Sequence, residues 1–400
     1  MVKNRTKESL EELLSESVAS AKKREKSTFD QLAGNSDPLL ILFGAGGLGK
    51  RTLAGLRKLN IEPLCFSDNN QSLWNSTVDG MAVYSPEEAL RKFPDAVFVL
   101  CIWSDVIGHP LKEVENQLNS FKKTTVVSFG FLYWKYPEAF LPYFGIELPH
   151  RTLEQADSIL SAFSLWSDDA SCNEYLAQVR WRLGFDYGGL SVPVKYKQYF
   201  PEDIFGKDSN EIFIDCGAYD GDTLRTFLNK YGIDFNKYFA CEPDPQNFKK
   251  LNDFVSGLPD LRLRDKIEVR QYAISDRRKT IPFAANGSLQ SGIREDGNIT
   301  VDCVALDEEF KNYIPTYIKM DTEGSEPEII QGASNTIKNF SPILAISIYH
   351  RHDHIWQLPS LVHGLSFGYK FFLRPHCKAS WDLVCYAVPQ DRLRFHKDHD

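Results

Sequence analysis

The chain has 400 residues, which is more than one ordinary hydrophobic core accommodates, so we expect at least two domains. A hydrophobic content of 42% and a charged content of 25% are ordinary for a soluble globular protein. The formal net charge of -8 argues against a general nucleic-acid binder, because contacts with phosphates need a basic face.

The cysteines and the apolar runs indicate where the protein works. The eight cysteines are scattered singly and none belongs to a CxxC pair, which is typical of reduced core thiols in a reducing compartment. Charged residues follow the first methionine, so no signal peptide is expected. No apolar run is long enough to span a bilayer. We therefore predict a cytoplasmic protein without a membrane partner, and we leave open whether it forms a homo-oligomer.

Residues 1–35 are rich in Glu, Lys and Ser and are predicted to be helical. Leu10, Leu13, Leu14 and Val18 recur at the spacing of one helical face. We interpret this segment as a solvated, partly frayed helix, and a docking or dimerising helix is the alternative.

Residues 36–130 are predicted to form a small Rossmann-like domain. An apolar strand from Leu39 to Phe43 runs into a glycine-rich turn and a helix, and further strands alternate with helices up to Ser128. Such alternation predicts a parallel sheet with helices on its faces. The length is close to one mononucleotide-binding half of a dinucleotide domain.

The turn of this domain has the pattern Gly44-x-Gly46-x-x-Gly49, which is a candidate phosphate cradle at a helix N-terminus. Asp68 lies downstream, where an acidic side chain would accept hydrogen bonds from ribose hydroxyls. No hydride-transfer pattern such as Tyr-x-x-x-Lys follows. A second nucleotide site at these four residues therefore stands as one hypothesis, and a turn that serves only packing stands as the other.

Residues 131–205 are predicted to be a helical connector or lid that packs on the second domain. Aromatic residues crowd its first part, and helical patterns follow near residues 153–165 and 171–183. Arg180 and Arg182 are candidates for binding an anionic acceptor. We favour the alternative of two solvated arginines on a helix face.

Residues 206–400 again alternate strands and helices, and two last strands follow each other without a helix. A hairpin-like piece over residues 280–304 interrupts the alternation. The predicted fold class is therefore α/β, with two Rossmann-like doubly wound sheets joined by a helical connector. The C-terminal sheet is expected to have seven strands.

The first strand of this domain ends at Asp215 and enters a glycine-rich turn with Gly217 and Gly221. A helix then begins at Asp222 and Thr223. Glycines allow a ligand to approach the backbone, because no Cβ blocks it. By itself this pattern indicates a nucleotide-like ligand at a strand end.

Four motifs occur in order, each at a strand end: Ile-Asp-Cys-Gly-Ala-Tyr-Asp-Gly-Asp-Thr at 214–223, Cys-Glu-Pro-Asp-Pro at 241–245, Ala-Ile-Ser-Asp at 273–276 and Ile-Lys-Met-Asp-Thr-Glu-Gly-Ser-Glu at 318–326. Together they resemble the FkbM family of S-adenosylmethionine-dependent methyltransferases. The last is similar to the family's Lys-x-Asp-x-Glu-Gly-x-Glu. The resemblance implies a class I methyltransferase fold and O-methylation of a hydroxyl on a sugar, glycan or secondary metabolite.

The resemblance also implies the cofactor contacts. Asp215 would hold the amino acid end of S-adenosylmethionine, directly or through water, and Glu242 would accept hydrogen bonds from both ribose hydroxyls. Residues 273–275 would flank the adenine. The predicted cofactor-binding residues are Asp215, Gly217, Ala218, Gly221, Asp222, Thr223, Glu242, Pro243, Ala273, Ile274 and Ser275.

Asp321, Glu323 and His350 are the candidate catalytic residues, because a base that removes the acceptor's proton would speed the transfer. Two alternatives stay open for the carboxylates. They would hold a divalent cation that lowers the acceptor's pKa, or Asp321 would contact only the cofactor while Glu323 caps the next helix. His350, His352 and His354 are a weaker metal candidate, so no metal ligands are assigned.

Two further features bear on function. The family often carries a Glu inside the fifth strand, where this chain has Ser347 and the pair Tyr349 and His350, so acceptor contacts do not carry over. The N-terminal unit resembles small nucleotide-sugar-binding modules found before sugar-modifying enzymes. The alternatives to a methyltransferase are an NAD-dependent sugar oxidoreductase with its active half N-terminal and a non-catalytic nucleotide-binding protein.

Overall fold

The computed structural model describes residues 2–103, 111–121, 124–287, 291–293 and 296–394. The helices in these ranges are α1 (Val2–Leu13), α2 (Val18–Ala33), α3 (Gly47–Lys58), α4 (Pro86–Lys92), α5 (Leu111–Ser120), α6 (Phe129–Lys135), α7 (Pro137–Phe140), α8 (Pro149–Leu153), α9 (Ala156–Phe163), α10 (Asp169–Gly184), α11 (Asp222–Tyr231), α12 (Pro245–Ser256), α13 (Leu261–Lys266), α14 (Leu306–Glu309), α15 (Glu326–Gly332), α16 (Ser334–Phe340) and α17 (His354–Leu365). The strands are β1 (Leu40–Phe43), β2 (Cys65–Ser67), β3 (Thr77–Val78), β4 (Met81–Tyr84), β5 (Val97–Leu100), β6 (Thr125–Ser128), β7 (Ile212–Cys216), β8 (Lys237–Cys241), β9 (Ile267–Arg270), β10 (Ala273–Ser275), β11 (Lys279–Ala284), β12 (Gly292–Ile293), β13 (Ile299–Ala305), β14 (Tyr317–Met320), β15 (Ile343–Ser347), β16 (Tyr369–Pro375) and β17 (Leu383–Pro389).

The first sheet has the strand order β3-β4-β2-β1-β5-β6. Its neighbours run parallel except β3, which is antiparallel to β4. The central strands β1 and β5 are buried along their whole length, as expected for apolar runs covered by helices on both faces. The β3–β4 hairpin was not predicted, because its strands are short and half-exposed.

The second sheet has the order β16-β17-β15-β14-β7-β8-β9. The five adjacent strands β15, β14, β7, β8 and β9 are parallel. Strand β17 is antiparallel to both of its neighbours. Strands β7 and β14 lie side by side with Cys216 opposite Met320, so both end at the same level. The predicted α/β fold with two sheets rich in parallel strands is confirmed.

The hairpin-like piece is larger than predicted. It is a four-stranded sheet of order β10-β13-β11-β12, in which β11 and β13 form the predicted antiparallel pair. Strands β9 and β10 are separate, because the chain leaves the second sheet after Arg270 and Ala273 pairs with Cys303 of β13. We call this four-stranded sheet the small sheet.

The connector packs on the second sheet through α10, and the N-terminal helix α1 packs on α10 in turn. The backbone N–H of Ser167 donates to the carbonyl of Phe371 in β16 at 2.9 Å. Leu10 of α1 is fully buried, and Thr6 Oγ1 donates to Asn173 Oδ1 at 3.0 Å. The interpretation of α1 as a solvated, frayed helix is therefore wrong, since its apolar face has a partner within the chain.

None of the helices in the described part of the chain is long and apolar enough to cross a membrane. The predicted domain boundaries after residues 35, 130 and 205 stay predictions.

Candidate active site

A cavity of about 230 Å³ opens at the carboxyl ends of β7, β8 and β14, under the small sheet. In open parallel sheets, ligands bind at this edge. Its described lining comprises Gln198, Tyr199, Gly217, Tyr219, Asp222, Cys241, Glu242, Pro243, Asn247, Ala273, Ile274, Phe283, Ser291, Gly292, Ile293, Asp321, Thr322, Glu323, Ser325, Tyr349 and Asp382.

Gly217 forms the floor of the cavity where β7 meets β14. Its φ is +88°, and a Cβ at this position would lie 2.0 Å from the carbonyl oxygen of Asp321. Its backbone N–H donates to the carbonyl of Cys241 at 3.1 Å. No side chain fits here, so the turn leaves bare backbone facing the cavity.

Asp215 lies behind this turn and does not line the cavity. It is fully buried, pairs with Lys319 Nζ at 3.0 Å and accepts a hydrogen bond from the hydroxyl of Tyr238 at 2.6 Å. Lys319 Nζ also donates to the carbonyl of Gly217 at 2.7 Å. Burial opposes the charge of Lys319, but Asp215 and Asp321 raise its pKa, so it stays protonated. Asp215 therefore anchors, through Lys319, the turn that faces the cavity, and its contact with a cofactor stays a prediction.

Glu242 follows β8 and faces the cavity with little exposure. Its Oε2 accepts from the backbone N–H of Tyr219 and its Oε1 from that of Asp244, both at 2.8 Å. Burial raises the pKa of Glu242 to about 7. Each carboxylate oxygen has a further lone pair that can accept a hydroxyl proton. The side chain of Glu242 is therefore fixed in place and still able to accept hydrogen bonds from the two hydroxyls of a diol.

Asp244 links the sheet to the cover of the cavity. It caps α12, accepting from the backbone N–H of Gln246 at 2.8 Å. Its other oxygen accepts from Gly287 N at 3.0 Å and from Ser291 Oγ at 2.7 Å, next to β12 of the small sheet. This second function was missed, because a capping pattern carries no signal about a segment more than forty residues away.

The predicted cofactor residues divide into two groups. Those that line the cavity are Gly217, Asp222, Glu242, Pro243, Ala273 and Ile274. Those outside its lining are Asp215, Ala218, Gly221, Thr223 and Ser275. Gly221 has φ +91° at the start of α11, and the buried Ser275 Oγ donates to Asp276 Oδ1 at 3.0 Å. Cofactor contacts of these five residues stay predictions.

The predicted catalytic residues are brought together at the end of β14. Asp321 and Glu323 line the cavity, and His350 lies buried behind them. His350 Nε2 is 3.4 Å from Asp321 Oδ1 and 3.8 Å from Glu323 Oε1. The other ring nitrogen of His350, Nδ1, is 2.8 Å from Glu326 Oε1. Three carboxylates thus surround one imidazole.

This environment sets the charge of His350. Burial lowers its pKa, but the carboxylate of Glu326 outweighs burial and holds the pKa at about 9. A protonated imidazole cannot accept a proton, so this charge state disfavours His350 as the base at neutral pH, and its catalytic role stays a prediction.

Glu326 organises the loop after β14. Besides His350, its Oε1 accepts from the backbone N–H of Thr322 at 2.8 Å. Burial opposes its ionisation, yet His350 lowers the pKa of Glu326 to about 2. Helix α15 begins at Glu326, with Ser325 at its N-cap position and no side-chain hydrogen bond from that cap, and capping by Glu323 stays a prediction. No role was predicted for Glu326, although its place as the acid that precedes Pro327 at the start of α15 was an available signal.

The lining residues outside the four motifs include Tyr199, Tyr349 and Asp382. Tyr199, in the connector, donates its hydroxyl to Asp321 Oδ2 at 2.8 Å. The approach of these three residues to the cavity was not predicted, since it depends on segments that are far apart along the chain.

The histidine and arginine hypotheses are not supported by the geometry. His352 Nε2 contacts Thr152 Oγ1 at 2.8 Å, while His354 Nδ1 faces Glu326 Oε2 at 3.4 Å. Among the described residues, no group of three or more His, Cys, Asp or Glu is placed to hold a metal ion. Arg182 is buried and donates to the carbonyl of His352 at 3.0 Å, so it is neither solvated nor available to an anion.

The glycine turn of the first sheet has a clear packing role. A Cβ on Gly49 would lie 1.9 Å from the carbonyl oxygen of Gly44, and Asp68 Oδ2 accepts from the backbone N–H of Ala45 at 2.8 Å. Of Gly44, Gly46 and Gly49, Gly46 alone has open space around its Cβ position. A nucleotide at Gly44, Gly46, Gly49 and Asp68 therefore stays a prediction.

Comparisons with known proteins point to one family. Residues 215–371 match the family model described as the methyltransferase FkbM domain. The crystal structure of methyltransferase FkbM from Methylobacillus flagellatus KT aligns with a TM-score of 0.77 and 19% identity over 96% of this chain and 99% of that chain, so the two share a fold. The methyltransferase domain of bacterial CtHen1-CN, with a TM-score of 0.27, 13% identity and coverage of 45% of this chain and 91% of that one, is too distant to inform the comparison. No curated protein matches the chain.

Proposed function

Since residues 215–371 form a domain of the FkbM methyltransferase family, we propose that this methyltransferase uses S-adenosylmethionine to methylate a hydroxyl of a sugar, glycan or secondary metabolite. The observation that carries the proposal is the pairing of bare backbone at Gly217 with the fixed carboxylate of Glu242 on one side of a single cavity.

The residues present fit the cofactor. Gly217 would leave room for its sulfonium end, Glu242 would accept the two ribose hydroxyls, and the backbone and apolar side chains of Ala273 and Ile274 would flank the adenine. The bound cofactor supplies an electrophilic methyl group. The protein's task is then to hold the acceptor oxygen in line with that methyl and to exclude water.

The charge of the cavity supports a neutral acceptor. Its described lining includes no lysine or arginine, whereas five residues are acidic: Asp222, Glu242, Asp321, Glu323 and Asp382. A phosphate or carboxylate on the acceptor would be repelled, while a polyol would find many hydrogen-bond acceptors. A divalent cation between Asp321 and Glu323 would lie beside the protonated His350, which disfavours the metal alternative.

Calorimetric titration with S-adenosylmethionine tests the cofactor assignment. We expect the wild-type protein to bind and Glu242→Ala to lose binding, because both ribose hydroxyls lose their acceptor. Affinity should also fall as the pH is lowered through about 7, where Glu242 becomes protonated. The matched control is Glu308→Ala, which removes an exposed carboxylate and should bind normally. Equal affinity of the wild type and Glu242→Ala would contradict the proposal.

A further inference from the structure

The loop between β16 and β17 has an unusual backbone. Ala379, Ser380 and Asp382 have φ values of 58°, 74° and 48°, in the left-handed region that residues with a Cβ seldom occupy. Such conformations persist only where the surroundings hold them, and they concentrate at functional sites.

Two separate segments hold this loop. Trp103 Nε1, after β5 of the first sheet, donates to the carbonyl of Ala379 at 2.9 Å. The ring centroid of Trp103 lies 4.7 Å from that of Trp381. Ser380 Oγ donates to Gln178 Oε1 of α10 at 2.5 Å. The loop is therefore built into the interface between the first sheet, the connector and the second sheet.

The held loop brings Asp382 to the cavity. Asp382 lines it together with Asp321 and Tyr349. Burial and then the charge of Asp321 raise the pKa of Asp382 to about 6. The hydrogen bond from Tyr349 and the charge of His350 oppose this rise, and Asp222 adds to it.

Asp321, by contrast, has both carboxylate oxygens engaged by neighbouring side chains. Its Oδ2 accepts from the hydroxyl of Tyr199 at 2.8 Å, and its Oδ1 faces Nε2 of His350 at 3.4 Å. A carboxylate whose oxygens already have partners has fewer lone pairs free to take a proton. Asp321 is thus suited to orient an acceptor hydroxyl, and a different carboxylate is better suited to take the proton.

We propose that Asp382 is the carboxylate that accepts the proton of the acceptor hydroxyl, while Asp321 orients that hydroxyl; this rests on the proposed function. In the step, the acceptor's O–H bond and the cofactor's S–CH3 bond break as an O–CH3 bond forms. The electron pair of the S–C bond stays on the sulfur, which becomes a neutral thioether, and the proton ends on Asp382.

The test compares the wild type with Asp382→Asn, because asparagine adopts the left-handed conformation readily and keeps the shape of the side chain. The probe is S-adenosylmethionine with a radiolabelled methyl group, and the protein-free small-molecule fraction of a cell extract is the acceptor source. We expect incorporation to fall by about a hundred- to ten-thousand-fold while calorimetric cofactor affinity is unchanged. The control Asp391→Asn removes an exposed carboxylate and should keep full incorporation.

A second readout does not use activity. In protein labelled with 13C at the aspartate carboxyls, one resonance should titrate near pH 6 and be absent from Asp382→Asn. Incorporation by Asp382→Asn at about a tenth of the wild-type rate or more would overturn the assignment, and so would a resonance of Asp382 that titrates in the ordinary range near pH 4. If the wild-type protein neither binds the cofactor nor transfers its methyl, the proposed function fails and this inference fails with it.

Discussion

At the scale of single residues, the central interaction is the buried pair of His350 and Glu326, in which each side chain determines the charge of the other. Both are buried, and the imidazole nitrogen lies 2.8 Å from the carboxylate oxygen. Removing one member of a buried ion pair leaves an uncompensated charge, which usually costs more than the pair contributes.

We therefore predict that Glu326→Gln lowers the free energy of unfolding by about 3–5 kcal/mol at pH 7, measured by urea denaturation. The control Glu11→Gln removes one partner of the exposed pair with Lys7 and should change it by less than about 1 kcal/mol. Equal effects of the two substitutions would show that the buried pair contributes no more to stability than an exposed pair.

The same pair predicts a pH window. The pKa of His350 rises from 6.5 to about 9 on folding, so its contribution is complete below pH 6.5 and is lost as the pH rises through 9. The pKa of Glu326 falls from 4.5 to about 2, so its contribution is complete above pH 4.5 and is lost as the pH falls through 2. The melting temperature difference between the wild type and Glu326→Gln should be largest between these limits, at pH 4.5–6.5. A difference that does not vary with pH would contradict this pairing.

At the scale of elements, the turn from β7 into α11 depends on one glycine. Gly217→Ala would combine a left-handed φ of +88° with a Cβ 2.0 Å from a neighbouring carbonyl oxygen. We expect a loss of at least about 1–3 kcal/mol of stability from the backbone strain, with loss of cofactor binding, measured by denaturation and calorimetry. Gly184→Ala is the control, because this helical glycine has open space around its Cβ position. That substitution should be neutral or stabilise by about 0.4–1 kcal/mol.

The secondary-structure elements were the part of the structure that could best be predicted from the sequence. Strand β14 has a local signal, since Tyr317, Ile318 and Met320 are apolar or strand-forming residues and polar residues follow them. Glu242 and Gly217 stand directly at strand ends, so local patterns place both at the edge where the cavity opens. Tyr199 could not be predicted, since it reaches Asp321 across 122 residues of sequence. The position of Asp382 depends on Trp103 and Gln178 and is equally invisible to local patterns.

At the scale of the whole molecule, helix α1 joins distant parts of the chain. Leu10 and Leu14 belong to the same core as residues of α9, α10 and the second sheet. We predict that Leu10→Ala lowers the free energy of unfolding by about 2–5 kcal/mol, because the truncation leaves a cavity in that core. The control Leu32→Ala lies on α2 and is 47% exposed, so its effect should stay within about 0.5 kcal/mol. Denaturant titration measures both, and a Leu10→Ala effect as small as the control would contradict the docking of α1.

The docking of α1 has a consequence for the synthesis of the protein on the ribosome. Leu10 shares its core with Phe371 of β16, and the ribosome adds residues at about 5–20 per second, so the helix is available about 20–70 s before that strand exists. During this interval an apolar helix face has no native partner. We expect nascent chains halted before residue 369 to bind a chaperone through α1, and Leu10→Ser to weaken that capture.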